Sequence, residues 1–229
     1  MTAPLSALSL TLISSPGEGQ HLIVDGLTPL QALLDATPHT PPLLQDLLQL
    51  GEITWQYRNE TTVASALSGG APAIPWLVGL AAWGGAVLLS DDQEIPTEAY
   101  LARKAGARRA EGLRIPVKRE NRTWGEAHVS ITPSDRPIVL AVAMLEWDGE
   151  TIASAGLAIH VVSKQGVLVV PEIETWVGAS QPDAAALAEQ AAAHFAPRSD
   201  FRASAEYRHE MGKVVIRRAL EQALTGEKA

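Results

Sequence analysis

From Thr61 to Ser90 the chain carries no charged side chain, and this stretch limits the possible folds more than any other feature. An uncharged run of this length has to be buried, either in protein or in lipid. Pro72 and Pro75 stand where a helix can begin, Trp76, Leu77, Leu80 and Ala81 recur at helical spacing, and Gly84-Gly85 ends the pattern. A helix of roughly a dozen residues is too short to cross a bilayer. The stretch is therefore read as a buried helix followed by a buried strand, Val87-Leu88-Leu89. The first sixteen residues lack the basic start and continuous apolar core of a secretory leader, so a cytoplasmic location is expected.

Composition narrows the function classes. The chain has 229 residues, 46% hydrophobic and 19% charged, as an ordered globular protein has. It contains no cysteine, which excludes disulfides, thiolate metal sites and a cysteine nucleophile. His21, His39, His128, His160, His194 and His209 are scattered without ligand spacing, so no metal site is expected. No Gly-x-Ser-x-Gly, phosphate-loop or dinucleotide glycine signature is present, and no catalytic residue is nominated.

The net charge of -8 argues against a nucleic-acid binder. Charge is nevertheless segregated. Between Arg103 and Arg122 eight basic residues face only Glu111 and Glu120, a net +6 that leaves -14 for the rest. The strip is either a solvated connector or a docking surface for an acidic partner, with Arg108, Arg109, Lys118 and Arg119 as its paired centres.

Two textures follow along the chain. Before residue 116, apolar runs at Leu8–Leu12 and Leu22–Val24 read as strands, Thr28-Pro29 and Thr40-Pro41 open helices, Thr97 caps another, and Leu113–Pro116 closes the half. After it, Ile138–Trp147, the Asp148-Gly149 turn, Thr151–Val162 and Val167–Val170 read as an antiparallel meander of three strands. Asp183 then starts an alanine-rich helix to Phe195, and Ser204 caps a long one to Leu224. On the last helix two apolar stripes are read, Tyr207/Met211/Val214/Val215 and Ile216/Leu220/Leu224. The second is a candidate partner surface centred on Leu220.

Three stretches carry a family resemblance: the helix and strand that run on to Ile95-Pro96 and its helix, and one motif on either side of them. Tyr57-Arg58-Asn59-Glu60-Thr61-Thr62-Val63-Ala64-Ser65-Ala66-Leu67 resembles an arginine-asparagine, then threonine-isoleucine-glycine-glycine-asparagine-leucine motif. Asp200-Phe201-Arg202-Ala203-Ser204-Ala205-Glu206-Tyr207-Arg208, with Arg217-Arg218-Ala219-Leu220 beyond it, resembles a closing-helix motif almost intact. All three belong to the FAD-binding (medium) subunit of the molybdenum hydroxylases, the carbon monoxide dehydrogenase and xanthine dehydrogenase family.

The resemblance implies an α+β fold. Residues 1–116 would form a flavin-domain-like second subdomain, without the subdomain that carries the pyrophosphate loop. Residues 120–229 would form the flavoprotein C-terminal domain, an antiparallel three-stranded sheet with helices. It also implies FAD, with Thr61, Thr62, Ser65 and Gly69 as contacts if FAD is bound. Ala64 and Ser65 replace the paired glycines, and their side chains should keep a diphosphate at a distance. Weak or lost flavin binding is therefore expected. The implied role is a degenerate partner or assembly element of a molybdopterin-dependent oxidoreductase, with molybdopterin or iron–sulfur subunits or a second copy as partners. The alternatives are a competent electron-transfer flavoprotein and a free-standing small-ligand binder.

Overall fold

The uncharged stretch becomes the axis of the molecule. A computed structural model describes residues 10–15, 19–36, 39–68, 71–91, 93–102, 109–117, 121–162 and 166–226. Helix α5 (Ile74–Trp83) is buried at every residue from Pro75 to Trp83. It can be apolar all round because protein covers it all round. One side meets α2 (Pro42–Leu47), where Gly79 has no room for a Cβ against Leu44 and Leu47. The other crosses a sheet at Gly156, where a Cβ would collide with the Ala82 carbonyl. Gly84, at φ 81, ends the helix in the left-handed conformation that glycine adopts without strain.

Two antiparallel sheets flank this helix. The first has five strands, β1 (Leu10–Ser15), β2 (Gly19–Asp25), β3 (Ala86–Leu89), β4 (Glu94–Pro96) and β5 (Ala110–Pro116), in the order β1-β2-β5-β3-β4. The inward residues Leu22, Val24, Val87, Leu113 and Ile115 join α5, α2 and α1 (Leu30–Asp35) in one core. Short helices α3 (Trp55–Glu60), α4 (Val63–Leu67) and α6 (Thr97–Leu101) complete this half. The helices opened by Thr28-Pro29 and Thr40-Pro41 have Pro29 and Pro41 as their N-caps, one residue later than the sequence suggests. Pro29 and Pro41 themselves stand in extended backbone, at ψ 146 and 134, so each helix begins after them and the buried threonines fall one residue outside the capping position. Thr97 likewise lies inside α6, and its hydroxyl donates to the Gly85 carbonyl at 2.7 Å.

The second sheet has four strands, not the three read from the sequence: β6 (Arg122–Val129), β7 (Val139–Asp148), β8 (Thr151–Val161) and β9 (Val167–Val169). The added strand, β6, begins at Arg122, the last cation of the basic strip. Arg122 is buried, donates to Glu146 Oε2 at 2.8 Å and lies 5.3 Å over the Trp83 ring. It is a packed ion-pair member, not part of a solvated connector.

β7 reads as a continuous apolar run because both of its faces are covered. Leu140, Val142 and Met144 face α5, while Val139, Ala141, Ala143 and Leu145 face α7 (Ala184–Ala192) and α8 (Ala205–Thr225). On α8, Arg208, Gly212, Val215, Ile216, Ala219, Leu220 and Ala223 are buried, so the helix has one inward face rather than two stripes. Gly125 and Gly212 let it lie close, against backbone at Ala219 and against the Phe195 ring. Among the described residues no helix is long and apolar enough to cross a membrane.

Candidate functional site

The Arg-Asn and Thr-Thr residues of the first motif lie on α3, α4 and the turn between them. Thr54 caps α3 by accepting from Tyr57 N at 3.2 Å, and Thr62 caps α4 by accepting from Ser65 N at 3.3 Å. Arg58 points inward. It donates to Gln31 Oε1 at 2.8 Å, the Ile53 carbonyl at 2.7 Å and the Leu48 carbonyl at 3.2 Å, tying α3 to α1 and to the end of α2. Asn59 Nδ2 donates to the Trp55 carbonyl at 2.8 Å.

The backbone amides of the same turn are also engaged. Thr61 N donates to Tyr57 O at 2.9 Å, Val63 N to Thr28 O at 2.9 Å, Ala64 N to Gly26 O at 2.8 Å and Ala66 N to Thr62 O at 2.9 Å. Leu30 N donates back to Thr61 O at 3.0 Å. The turn is thus laced to the loop from Asp25 to Thr28, which in turn leans on β5. Gly26 N donates to Glu111 O at 2.6 Å, and a Cβ at Gly26 would meet that carbonyl oxygen at 2.7 Å and the Ala64 Cβ at 3.2 Å. Residue 26 therefore has to be glycine, and Ala64 fills the space beside it.

This lacing borders a cavity of about 330 Å³ lined by Asp25, Gly26, Leu27, Ala64, Arg109, Ala110 and Glu111. A neighbouring cavity of about 360 Å³ shares Asp25 and Glu111 and extends over Ile23, Leu88, Glu94 and Gly112. Thr61 and Thr62 are half-buried and Ser65 is exposed, and none of the three lines either cavity. Gly69 lies outside the described residues. The sequence reading missed Gly26 and Glu111, which reach Ala64 only through folding. The signal was Gly26 directly after an apolar strand.

The other nominated residues separate in the same way. Arg109 is exposed and lines the first cavity beside two carboxylates, whereas Arg108, Lys118 and Arg119 lie outside the described residues. Leu220 is 0% exposed and packs into the core between α8 and the second sheet, so it offers no surface to a partner. Its neighbours on the helix wheel, Arg208 and Gly212, are polar or small and hide the true inward face from a count of apolar residues.

The second motif closes a knot around one buried arginine. Arg208 is 0% exposed, and its guanidinium donates to Asp200 Oδ1 at 2.6 Å, to Ala203 O at 3.0 Å and to Arg198 O. Desolvation opposes ionisation of Asp200, yet the hydrogen bonds from Arg208 and from the amides of Arg202 and Ala203 hold its carboxyl below the usual range. Ser204 caps α8 by accepting from Tyr207 N at 3.2 Å. His160 lies buried nearby, its Nδ1 2.9 Å from Gly166 O. Burial is the main reason its pKa falls to about 4. Among the described residues no three His, Asp or Glu side chains gather as a metal site requires.

Residues 130–223 match the family model of the CO dehydrogenase flavoprotein C-terminal domain. Over the whole chain, carbon monoxide dehydrogenase from Hydrogenophaga pseudoflava has a similar structure, with a TM-score of 0.79 and 18% identity over 94% of this chain and 78% of that chain. The reconstituted CO dehydrogenase of Oligotropha carboxidovorans gives 0.76 and 21% over 95% and 79%. Quinoline 2-oxidoreductase from Pseudomonas putida 86 gives 0.73 and 19% over 94% and 78%. No curated protein matches the chain. The resemblance read from the sequence holds for the fold, and residues 130–223 match the family model it named.

Proposed function

We propose that this chain is a flavin-subunit-like component of a molybdopterin-dependent oxidoreductase, acting as a partner or assembly element with little flavin of its own. In this reading residues 1–116 are the flavin-type unit and residues 120–229 the flavoprotein C-terminal domain. The observation that carries the proposal is the lacing of the Thr61–Ala66 turn. A diphosphate is held by several backbone N–H groups pointing at it, each charge-assisted bond contributing about 1.5–3 kcal/mol. Here the amides of Thr61, Val63, Ala64, Ser65 and Ala66 all have acceptors within the chain. Among the described residues, the adjoining cavity is lined by Asp25 and Glu111 with Arg109 as its one cation. These groups do not fit a dianionic diphosphate.

The same reading assigns the basic strip around Arg108, Arg109, Lys118 and Arg119 to an acidic partner surface, and places the complex in the cytoplasm. The test is purification of the full chain under native conditions, with its visible spectrum recorded. A colourless protein is expected. A yellow protein with stoichiometric flavin would overturn the proposal and make Thr61, Thr62 and Ser65 cofactor contacts.

A further inference from the structure

Phe201 is 96% exposed, on a turn that the fold ties down tightly. Asp200 Oδ1 accepts from Arg202 N at 2.7 Å and from Ala203 N at 3.2 Å, Asp200 N donates to Ala203 O at 3.1 Å, and the buried Arg208 holds the same carboxylate. The turn thus keeps a phenyl ring out in water, where it adds nothing to the core. A second tied turn is joined to it. Thr132 N donates to Asp135 Oδ2 at 2.9 Å and Asp135 N to Thr132 O at 3.1 Å, while a Cβ at Gly51 would meet Asp135 O at 2.8 Å. Ile131, directly before this turn, is 63% exposed. The guanidinium of Arg202 donates to Arg136 O and links the two turns. Both lie inside continuous described segments, 121–162 and 166–226.

The charges around these turns are unevenly matched. Arg208 has Asp200, but Arg136, Arg198 and Arg202 pair with no carboxylate among the described residues. The nearby acids are engaged within the chain: Asp200 by Arg208, Asp135 by Thr132 N, and Glu206 by the Ser204 hydroxyl and its own amide. Three guanidiniums without a counter-ion therefore stand beside two exposed apolar side chains, although the chain carries 26 acidic residues against 18 basic ones. A guanidinium presents a fork of donors that matches a carboxylate.

Aromatic and arginine anchors on pre-organised loops are the anatomy of a protein-docking surface. We propose that the Ile131 and Phe201 turns dock an acidic segment of a different protein, which covers the two apolar side chains and sets carboxylates against Arg136, Arg198 and Arg202. An ordinary interface covers about 800 Å² on each partner, enough to take in two turns joined by one side chain. Charge selects the occupant. A twofold contact with a second copy would set these arginines against themselves, and an anionic lipid surface would meet the net -8 of the chain. A small free anion would leave Phe201 in water. The surface is separate from the basic strip around Arg108, Arg109, Lys118 and Arg119, and it rests on the reading of the chain as a partner element.

Photocross-linking of the full chain in cells of its source organism tests it, with p-benzoylphenylalanine in place of Phe201 and, as a control, in place of Val177, which is 51% exposed on another turn. The probe at 201 is expected to give an adduct with another polypeptide whose linked peptide, sequenced by mass spectrometry, is rich in aspartate and glutamate. Arg198 is exposed and its side chain makes no hydrogen bond or ion pair among the described residues. Arg198→Glu should therefore leave the fold intact, checked by circular dichroism, and lower the adduct yield ~10-fold. If position 201 does not accept the probe, Ile131 carries it with the same expectations. An adduct no stronger than at Val177, one to a second copy or to lipid, a linked peptide without excess acid, or a yield indifferent to Arg198→Glu would overturn the proposal. The flavin content of the same protein separates the two readings. A colourless protein without the adduct refutes the docking surface alone, whereas a yellow one with stoichiometric flavin that still forms the adduct refutes the proposed loss of flavin and keeps the surface.

Discussion

The turn at Thr61–Ala66 and the knot at Asp200–Arg208 both resemble, in sequence, motifs of one flavoprotein family, and the structure uses them differently. At the knot, a buried guanidinium, a carboxylate held ionised and a serine cap fix the start of α8 on its sheet. Every motif residue named there serves the scaffold. At the turn, the capping threonine and Arg58 are also structural, but Ala64 brings its side chain to a cavity edge, and the amides of the turn are already spent on Thr28, Gly26 and Thr62. In the proposed reading, a motif persists as scaffold where its side chains close on the protein itself, while one whose value lies in open donors is filled without harm to the fold.

The knot should be the costlier region to disturb. Arg208→Met leaves the Arg198 and Ala203 carbonyls without the guanidinium, while Asp200 keeps the Arg202 and Ala203 amides, and should destabilise the chain by about 1.5–3 kcal/mol, read from the denaturant midpoint. Gly156→Ala, at the crossing of α5 over β8, should cost about 1–3 kcal/mol through overpacking against the Ala82 carbonyl. A loss near zero at Arg208 would erase the contrast between the two regions.

Acid should act on the knot side as well. His160 has a folded-state pKa of about 4 against an ordinary value of 6.5, so the unfolded chain takes up a proton in that window and the folded chain does not. Its contribution is complete above pH 6.5 and is lost as pH falls towards 4, by up to about 3 kcal/mol. His160→Gln should flatten the stability profile between those values. An unchanged slope would remove His160 from the account. At the turn, Ala64→Gly with Ser65→Gly should shift stability by only about 1–2 kcal/mol, since both are short helix positions and only Ala64 is buried.

Much of the scaffold was legible because its signals are local. The bounds of α5 followed from Pro75 and Gly84, the β7–β8 hairpin from Asp148-Gly149, and α8 from Ser204. β6 escaped because Arg122, Glu126 and His128 interrupt its alternation with charge, although Arg122 is buried against Trp83 and Glu146. The single inward face of α8 escaped because Arg208 and Gly212 lie on it. The cavity at the turn was illegible for another reason. Gly26, Ala64 and Glu111 are far apart in sequence, and only the antiparallel pairing of β2 with β5 brings the loop of Gly26 against Glu111.

The central claim is that the flavoprotein scaffold stands here without an open diphosphate cradle. A titration of the folded full chain with FAD, followed by flavin fluorescence, tests it most directly. The account predicts no saturation below about 100 µM, the range left when several charge-assisted bonds are missing. One-to-one binding below about 1 µM, near -8 kcal/mol, would contradict it.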